Sequence, residues 1–443
     1  MATAAGGRLV QPPPEAAVGP TRVTVDSRDA AAGDLFVGLS GEYADGGRFA
    51  PAALAAGAWG VLVSPEHAEA ARCAAPGALI AADDPLAALA ALARSWRREL
   101  QAQTIAITGS TGKTSTKDIL AALLASQRRT HASPANYNTE IGVPLALLAA
   151  PPGTEVVVLE LAMRGPQQIA ELTAICEPDV GVVLNIGPVH LELLKSLEAV
   201  AAAKGELLAG LRAGATAVIP ASEPLLVPHL RDDLRWITFG EGGDVRLAGE
   251  ADDGTLSIDA AGERIELRPS FAQAHNRLNL LAAVAAARAV GVTPAGRLDV
   301  TFSAMRGQRE RLAGEVIVID DCYNANPMSM RAALDDLSVT APGRRVAVLG
   351  DMLELGADEG AYHAEIGRYA TEREVDVLIT AGPLAARMLD GFDGESYATA
   401  DAHEAAALAG ELVHPGDTVL VKGSRGVGLE IVADALRAAR APD

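Results

Sequence analysis

Cysteine is scarce: Cys73, Cys176 and Cys322 are the only three in 443 residues, far apart and without a C-x-x-C pair. That argues against a disulfide framework and against a thiolate metal site, and it fits a reducing compartment. Basic charge is outnumbered, with 37 Lys and Arg against 57 Asp and Glu, so the net charge of −20 would repel a phosphate backbone and no nucleic-acid partner is expected. Long apolar runs are missing too. No stretch reaches the roughly 18 uncharged apolar residues of a membrane span, and the opening residues lack the basic and apolar regions of a signal peptide. The expectation is a cytoplasmic protein that is neither exported nor inserted in a membrane.

What is present is ordinary globular material: 49% of residues are apolar and 21% charged. A length prior of roughly 100 to 200 residues per domain predicts about three domains. Composition and patterning place them at 1–100, 101–303 and 304–443. The fold class is α/β throughout. In the first domain short β-branched runs, Thr21 to Val25 and Trp59 to Val63, alternate with Gly-rich turns and Ala-rich helices, ending in a helix over Pro85 to Leu100. The second opens with a buried strand, Thr104 to Ile107, followed by a Gly-rich turn and a helix from Thr114 to Ser126. Apolar runs at Glu155 to Glu160 and Val180 to Asn185 read as parallel strands of a mainly parallel sheet. A polar stretch from about Asp244 to Leu267 reads as a peripheral antiparallel excursion, and Ala274 to Ala289 as a helix. The third domain alternates strand and helix in a Rossmann-like manner, from Glu315 to Asp320 through Thr418 to Lys422, with a last helix from Val427. Its strands end in Asp320-Asp321, Gly350-Asp351 and Lys422-Gly423-Ser424-Arg425, so its ligand edge is expected to face the central domain.

The segment Thr108-Gly109-Ser110-Thr111-Gly112-Lys113-Thr114-Ser115 lies between strand and helix. It matches the second half of a P-loop, in which backbone N–H groups and a lysine neutralise nucleotide phosphates while a hydroxyl meets Mg²⁺. It departs from the full motif because Ile107 stands at the first glycine position. The ligand it predicts is ATP. Glu160 ends the next strand, where a carboxylate is costly to bury alone; a salt bridge or a hard metal would satisfy it. His190 follows the third strand and is either structural or a ligand group at the same edge. Lys204 lies in an apolar helix. Either its amine snorkels to water, or burial lowers its pKa and the neutral amine adds CO₂ to form a carbamate able to bridge two Mg²⁺ ions. Asn136 to Pro144, Ala274 to Asn279 and Asp320 to Pro327 are polar turns at the mouths of apolar elements, rich in amide and carboxylate groups.

Together these residues resemble the Mur ligase family of peptidoglycan amide-forming enzymes, in order and over nearly the whole chain. The resemblance implies an N-terminal domain holding a UDP-sugar, a central ATPase domain, and a C-terminal domain that closes over ATP and supplies the site for the incoming amine. Within the family, Asn136-Tyr137-Asn138-Thr139-Glu140-Ile141-Gly142-Val143-Pro144 and Asp321-Cys322-Tyr323-Asn324-Ala325-Asn326-Pro327 are most similar to the branch that joins D-alanyl-D-alanine to a UDP-N-acetylmuramoyl-tripeptide. By resemblance Lys113, Lys204 and His190 are the catalytic set. Gly109, Ser110, Thr111, Gly112, Lys113, Thr114 and Ser115 cradle ATP, with Asn276, Arg309, Asp321, Tyr323 and Asn324 as the nucleotide clamp. Thr114, Glu160, His190 and a carbamylated Lys204 are the Mg²⁺ ligands. Ser27, Arg28, Gly41, Asp45, Asn138 and Thr139 are the substrate contacts, although the family pattern commonly has His where this chain has Gly47. A monomer is expected. Two other readings stand beside this one: another ligase of the same superfamily, such as a folylpolyglutamate synthase, and a nucleotide switch that uses the P-loop to change shape.

Overall fold

The computed structural model describes residues 1–13, 19–42, 44–134 and 136–440. Three sheets organise it. Tyr43 in the 41–46 loop, residues 14–18 of the first domain, Ala135 and the last three residues of the third domain lie outside the described set.

The first sheet has five strands in the spatial order Arg8–Gln11, Ala78–Ala81, Gly60–Val63, Asp34–Val37 and Arg22–Thr24. Only Arg8–Gln11 runs antiparallel to its neighbour; the other pairings are parallel. Parallel strands demand cover on both faces, and Asp34–Val37, Gly60–Val63 and Ala78–Ala81 are buried at every residue. The helix Pro85–Leu100 covers one face and begins where the sequence places it, because the Asp84 carboxylate accepts the N–H groups of Leu86 and Ala87 and Pro85 needs no donor.

The second sheet has ten strands. Its parallel part runs Arg235–Phe239, Thr216–Pro220, Val180–Val183, Gln103–Thr108, Val156–Glu160, Thr130–Ala132. Gln103–Thr108 lies between the strand that precedes the third crossover and the one that follows it, so the chain departs to opposite sides of it. Ligands bind at such a switch point, outside the carboxyl ends of the strands. The stretch read as a peripheral antiparallel excursion is antiparallel and lies at one end of the sheet, hydrogen-bonded to it as its continuation. Val245–Glu250, Leu256–Ala260 and Glu263–Pro269 are antiparallel to one another and join it through Val245 beside Phe239, with Gly296–Leu298 at the far edge. Their inward residues Leu256, Ile258, Ile265 and Leu267 share one core with Ile105 and Ile107 under the helices Lys113–Ala125 and Ala274–Ala289. At roughly 1.5–3 kcal/mol for each fully buried large aliphatic side chain, that alternation is enough to hold the polar hairpins to the sheet.

The third sheet has six strands, Gln308–Leu312, Val316–Asp320, Thr418–Lys422, Arg345–Gly350, Val377–Ala381 and Glu395–Thr399, parallel except for the first. The last helix starts at Glu430 rather than at Val427, because Gly428 takes a left-handed conformation that interrupts the turn before it. Among the described residues no helix is long and apolar enough to cross a membrane.

Candidate active site

The P-loop is shaped from both sides. Asn185, just past the strand Val180–Val183, accepts the Thr111 N–H on Oδ1 at 3.0 Å and donates from Nδ2 to the Thr111 carbonyl at 3.2 Å. The Ser110 hydroxyl donates to the Gly187 carbonyl and accepts the Gly187 N–H. Gly112 closes the loop at φ 81°, a left-handed backbone, with Asn279 of the helix Ala274–Ala289 so near that a Cβ there would lie 2.4 Å from its Oδ1. The helix Lys113–Ala125 then starts with no side-chain cap, leaving its first N–H groups turned to the loop for an anion.

Lys113 folds back and donates from Nζ to the Gly109 carbonyl at 2.8 Å. Its enclosure by protein lowers its pKa from the ordinary lysine value; the nearby Glu160 charge opposes the shift and Arg306 adds to it. Glu160 pairs in register with Ile107, which puts its carboxylate at the mouth of the same edge. Oε2 accepts the Thr114 hydroxyl at 2.8 Å and Oε1 accepts Asn138 Nδ2 at 2.7 Å. This buried acid is thus tied to the P-loop on one side and to the Asn136–Pro144 segment on the other. That segment also bridges two domains, because Leu145, just beyond it, packs in the core of the first domain with Leu35, Leu62 and Leu89.

Lys204 does not snorkel: it is 2% exposed, and no described residue hydrogen-bonds its amine. Burial, then the Lys113 charge, lowers its pKa well below the usual lysine value. His190 sits at the same place in a left-handed conformation, and burial lowers its pKa against the opposing Glu354 carboxylate, with Lys204 and Lys113 close enough to add to the lowering. Its Nδ1 meets Glu354 Oε2, which comes from the third domain, at 2.5 Å. Thr114, Glu160, His190 and Lys204, proposed from sequence as one cluster, therefore stand around one mouth. The first two offer hard oxygen donors, and a carbamate on Lys204 would add two more. The donor set suits Mg²⁺.

Of the proposed nucleotide clamp, Tyr323 and Asp321 come to this edge by different means. Arg306 stacks 4.0 Å from the Tyr323 ring centroid and donates to the Thr114 hydroxyl at 3.2 Å. Asp321 pairs at 2.7 Å with the buried Lys422, which also donates to the Asn324 carbonyl; sequence left Lys422 without a contact. Asn276 is buried and accepts from Asn279. Arg309 is not brought to the P-loop: its guanidinium pairs with Asp336 and Thr340 on the helix Pro327–Thr340, and Arg306 stands at the loop in its place. Ser115 lies half-buried in the first helical turn.

The proposed substrate contacts separate into two groups. Ser27 and Arg28 follow the strand Arg22–Thr24, and Gly41 and Asp45 follow its parallel neighbour Asp34–Val37, so all four gather at one edge of the first sheet. Arg28 is exposed and, among the described residues, pairs with Asp26. Asn138 and Thr139 belong to the ATP-site side instead, Thr139 accepting the Gly142 N–H as a cap. The sequence reading missed the roles of Arg306, Asn185 and Glu354. Arg306 and Asn185 carried a signal, Asn185 as the last residue of a quoted strand and Arg306 as a near neighbour of Arg309; Glu354 carried none.

Family models match nearly all of this framework: Mur ligase middle domain over residues 107–287, Mur ligase, glutamate ligase domain over 305–425, and Mur ligase family, catalytic domain over 21–97. Over 425 residues the chain is 36% identical to a UDP-N-acetylmuramoyl-tripeptide--D-alanyl-D-alanine ligase of Synechocystis sp., spanning 94% of this chain and 92% of that protein. The chain belongs to the Mur ligase family.

This Mur ligase is also similar in structure to MurF from Acinetobacter baumannii, with a TM-score of 0.86 and 29% identity over 98% of this chain and 97% of that one. MurF ligase from Thermotoga maritima, solved in complex with ADP, matches with a TM-score of 0.80 and 29% identity over 94% and 97%.

Proposed function

We propose that this Mur ligase joins D-alanyl-D-alanine to UDP-N-acetylmuramoyl-tripeptide at the expense of ATP, giving the UDP-muramoyl-pentapeptide of peptidoglycan synthesis. The observation that carries the substrate choice is the 36% identity, over 94% of the chain, to a relative named for that reaction. The reaction class is supported by the P-loop edge, where an ATP-cradling loop, a buried acid and a buried lysine meet residues of a third domain.

A carboxylate has a poor leaving group, so it must be activated before an amine can displace it. The γ-phosphoryl group passes to the terminal carboxylate of the tripeptide, giving an acyl phosphate and ADP. The amine of D-alanyl-D-alanine attacks the acyl carbon, and the tetrahedral adduct loses phosphate to leave the amide. In this reading Lys113 and the helix N-terminus hold the transferring phosphoryl oxygens and spread their developing charge. Thr114, Glu160, His190 and carbamylated Lys204 would hold Mg²⁺, which supplies Lewis-acid charge stabilisation to the phosphates when bound. Arg306 and Tyr323, with Asn276, Asp321 and Asn324, shape the nucleotide's far side, and Ser27, Arg28, Gly41 and Asp45 receive the UDP end. Contacts from the third domain, Arg306 to Thr114 and Asn326 to the Ser110 carbonyl at 3.4 Å, close the cleft and exclude water that would hydrolyse the acyl phosphate.

The domains at 1–100, 101–303 and 304–443 are assigned the UDP-sugar, ATP and amine ends of this chemistry. The working state in this reading is a monomer, and ATP and the UDP-linked peptide are cytoplasmic supplies. The test is phosphate release from Mg-ATP with UDP-muramoyl-tripeptide and D-alanyl-D-alanine, added separately and together, with mass spectrometry of the product. The expected outcome is pentapeptide only when both are present; phosphate release indifferent to either substrate would overturn the assignment.

A further inference from the structure

Glu354 lies in the loop after the strand Arg345–Gly350, held there from several sides. The Met352 N–H donates to His363 Nε2 at 2.8 Å, the Leu353 N–H to the Ser424 hydroxyl at 3.0 Å, and the Ser424 N–H to the Asp351 carbonyl at 3.0 Å. Glu354 itself has φ 64°, a left-handed conformation that a non-glycine residue adopts at a cost of order 1–3 kcal/mol. Its carbonyl accepts the Glu192 N–H across the domain boundary. Its carboxylate reaches the central domain at His190, stands 3.9 Å from Arg164, and remains 42% exposed. A strained backbone, fixed by its neighbours, delivers one carboxylate into the mouth of the site.

The charge inventory says what that carboxylate is for. Lys113, folded onto the phosphate loop, and Arg306, which donates to Thr114, make the mouth cationic. Two of the three substrates, ATP and the UDP-linked peptide, are polyanions and gain from this. The third presents an ammonium group at the very atom that must react, and a cationic mouth repels it. Two other acids at the mouth are spoken for: Glu160 accepts from Thr114 and Asn138, and Asp321 is paired with Lys422. Of the three, Glu354 is the most open: its side chain is 42% exposed, against 21% for Asp321 and a buried Glu160.

We infer that the Glu354 carboxylate receives the ammonium group of the incoming amine substrate and so selects a charged amine and places its nitrogen beside the activated carboxylate. This rests on the ligase reading above. It makes Glu354 a specificity residue for one substrate out of three, contributed by the domain that closes last.

The test compares two nucleophiles in the full-length enzyme. Hydroxylamine, uncharged at neutral pH, also attacks an acyl phosphate, releasing phosphate and leaving a hydroxamate. Wild type and Glu354→Gln are each given Mg-ATP and UDP-muramoyl-tripeptide with either D-alanyl-D-alanine or hydroxylamine, and kcat/KM is measured for both. The expected result is a loss at least tenfold larger for the dipeptide than for hydroxylamine, expressed in KM. An equal loss with both nucleophiles, which action through His190 or a misfolded loop would produce, overturns the inference; so does an unchanged KM for the dipeptide. If wild type forms neither pentapeptide nor hydroxamate, the ligase reading fails, and this inference falls with it for a distinguishable reason.

Discussion

The ring of His67 occupies the space that a side chain at Gly47 would fill: a Cβ on Gly47 would lie 2.2 Å from His67 Cδ2. His67 belongs to the helix Pro65–Arg72, and its Nε2 is 3.2 Å from Asp45 Oδ2. Asp45 in turn accepts the Gly47 N–H at 2.8 Å. Where the family pattern commonly has a histidine in the loop, this chain has glycine there and an imidazole arriving from a neighbouring helix.

Gly47→Ala should therefore displace His67. Overpacking of this kind costs roughly 1–3 kcal/mol, and the loop that carries Asp45 moves with it. Calorimetric titration with UDP-muramoyl-tripeptide is expected to show several-fold weaker binding, and a thermal melt a lower first transition. Unchanged affinity and melting would mean that the ring's place is incidental.

Gly112→Ala meets two obstacles together, the left-handed φ of 81° and the Asn279 side chain 2.4 Å from the new Cβ. The backbone term alone is about 1–2 kcal/mol for an L residue. ATP binding should fall at least about tenfold, read by fluorescence titration with a labelled nucleotide. Binding of UDP-muramoyl-tripeptide to the first domain should hold.

Lys204→Ala removes the buried amine and with it any carbamate. Electrostatic groups placed at the reacting centre are worth on the order of a hundredfold to a thousandfold in rate, and a loss of that size is expected. Short carboxylates such as acetate or propionate should recover part of it. A variant that stays fully active, or an inactive one that no added carboxylate improves, would sink the carbamate.

Asp34 is buried and held by two hydrogen bonds from Arg22, at 3.1 and 2.6 Å, and by the Ala31 N–H; Arg22 also reaches the Asp29 carbonyl. These contacts pin the 26–33 turn that carries Ser27 and Arg28. The Arg22 hydrogen bond is the main reason that the Asp34 pKa lies below its ordinary value of 3.8. A folded pKa below the unfolded one means stability that is complete above about 3.9 and is lost as pH falls through the folded value. Asp34→Asn should thus cost about 1–3 kcal/mol near neutrality. The gap to wild type in urea unfolding should hold down to about pH 4 and narrow as the pH falls below it; a gap independent of pH would contradict the sign.

Much of the frame was legible one residue at a time. The helices Pro85–Leu100 and Ala274–Ala289 and the strand Thr418–Lys422 run to the predicted residues, because a cap, a proline or an apolar period marks each end locally. The P-loop was legible for the same reason, its glycines, lysine and hydroxyls being consecutive. The hairpins after Asp244 were legible as antiparallel, but not their share in the central core, because the polar outward residues mask the buried alternate row.

The sequence by itself determined the α/β alternation, the position of the phosphate loop and the residue types at the strand ends, since each depends on neighbours within a few positions along the chain. Tertiary structure decided which of those residues meet. Arg306 and Arg309 are three positions apart and chemically identical, yet one stacks on Tyr323 beside Thr114 and the other pairs with Asp336. Arg309 lies in a strand whose register opposite Ile319 aims it at a helix, while Arg306 precedes that strand in a loop free to turn toward the P-loop. The meeting of Glu354 with His190 is of the same kind, for 164 positions of chain separate them and only the docking of the third domain on the second brings carboxylate to imidazole.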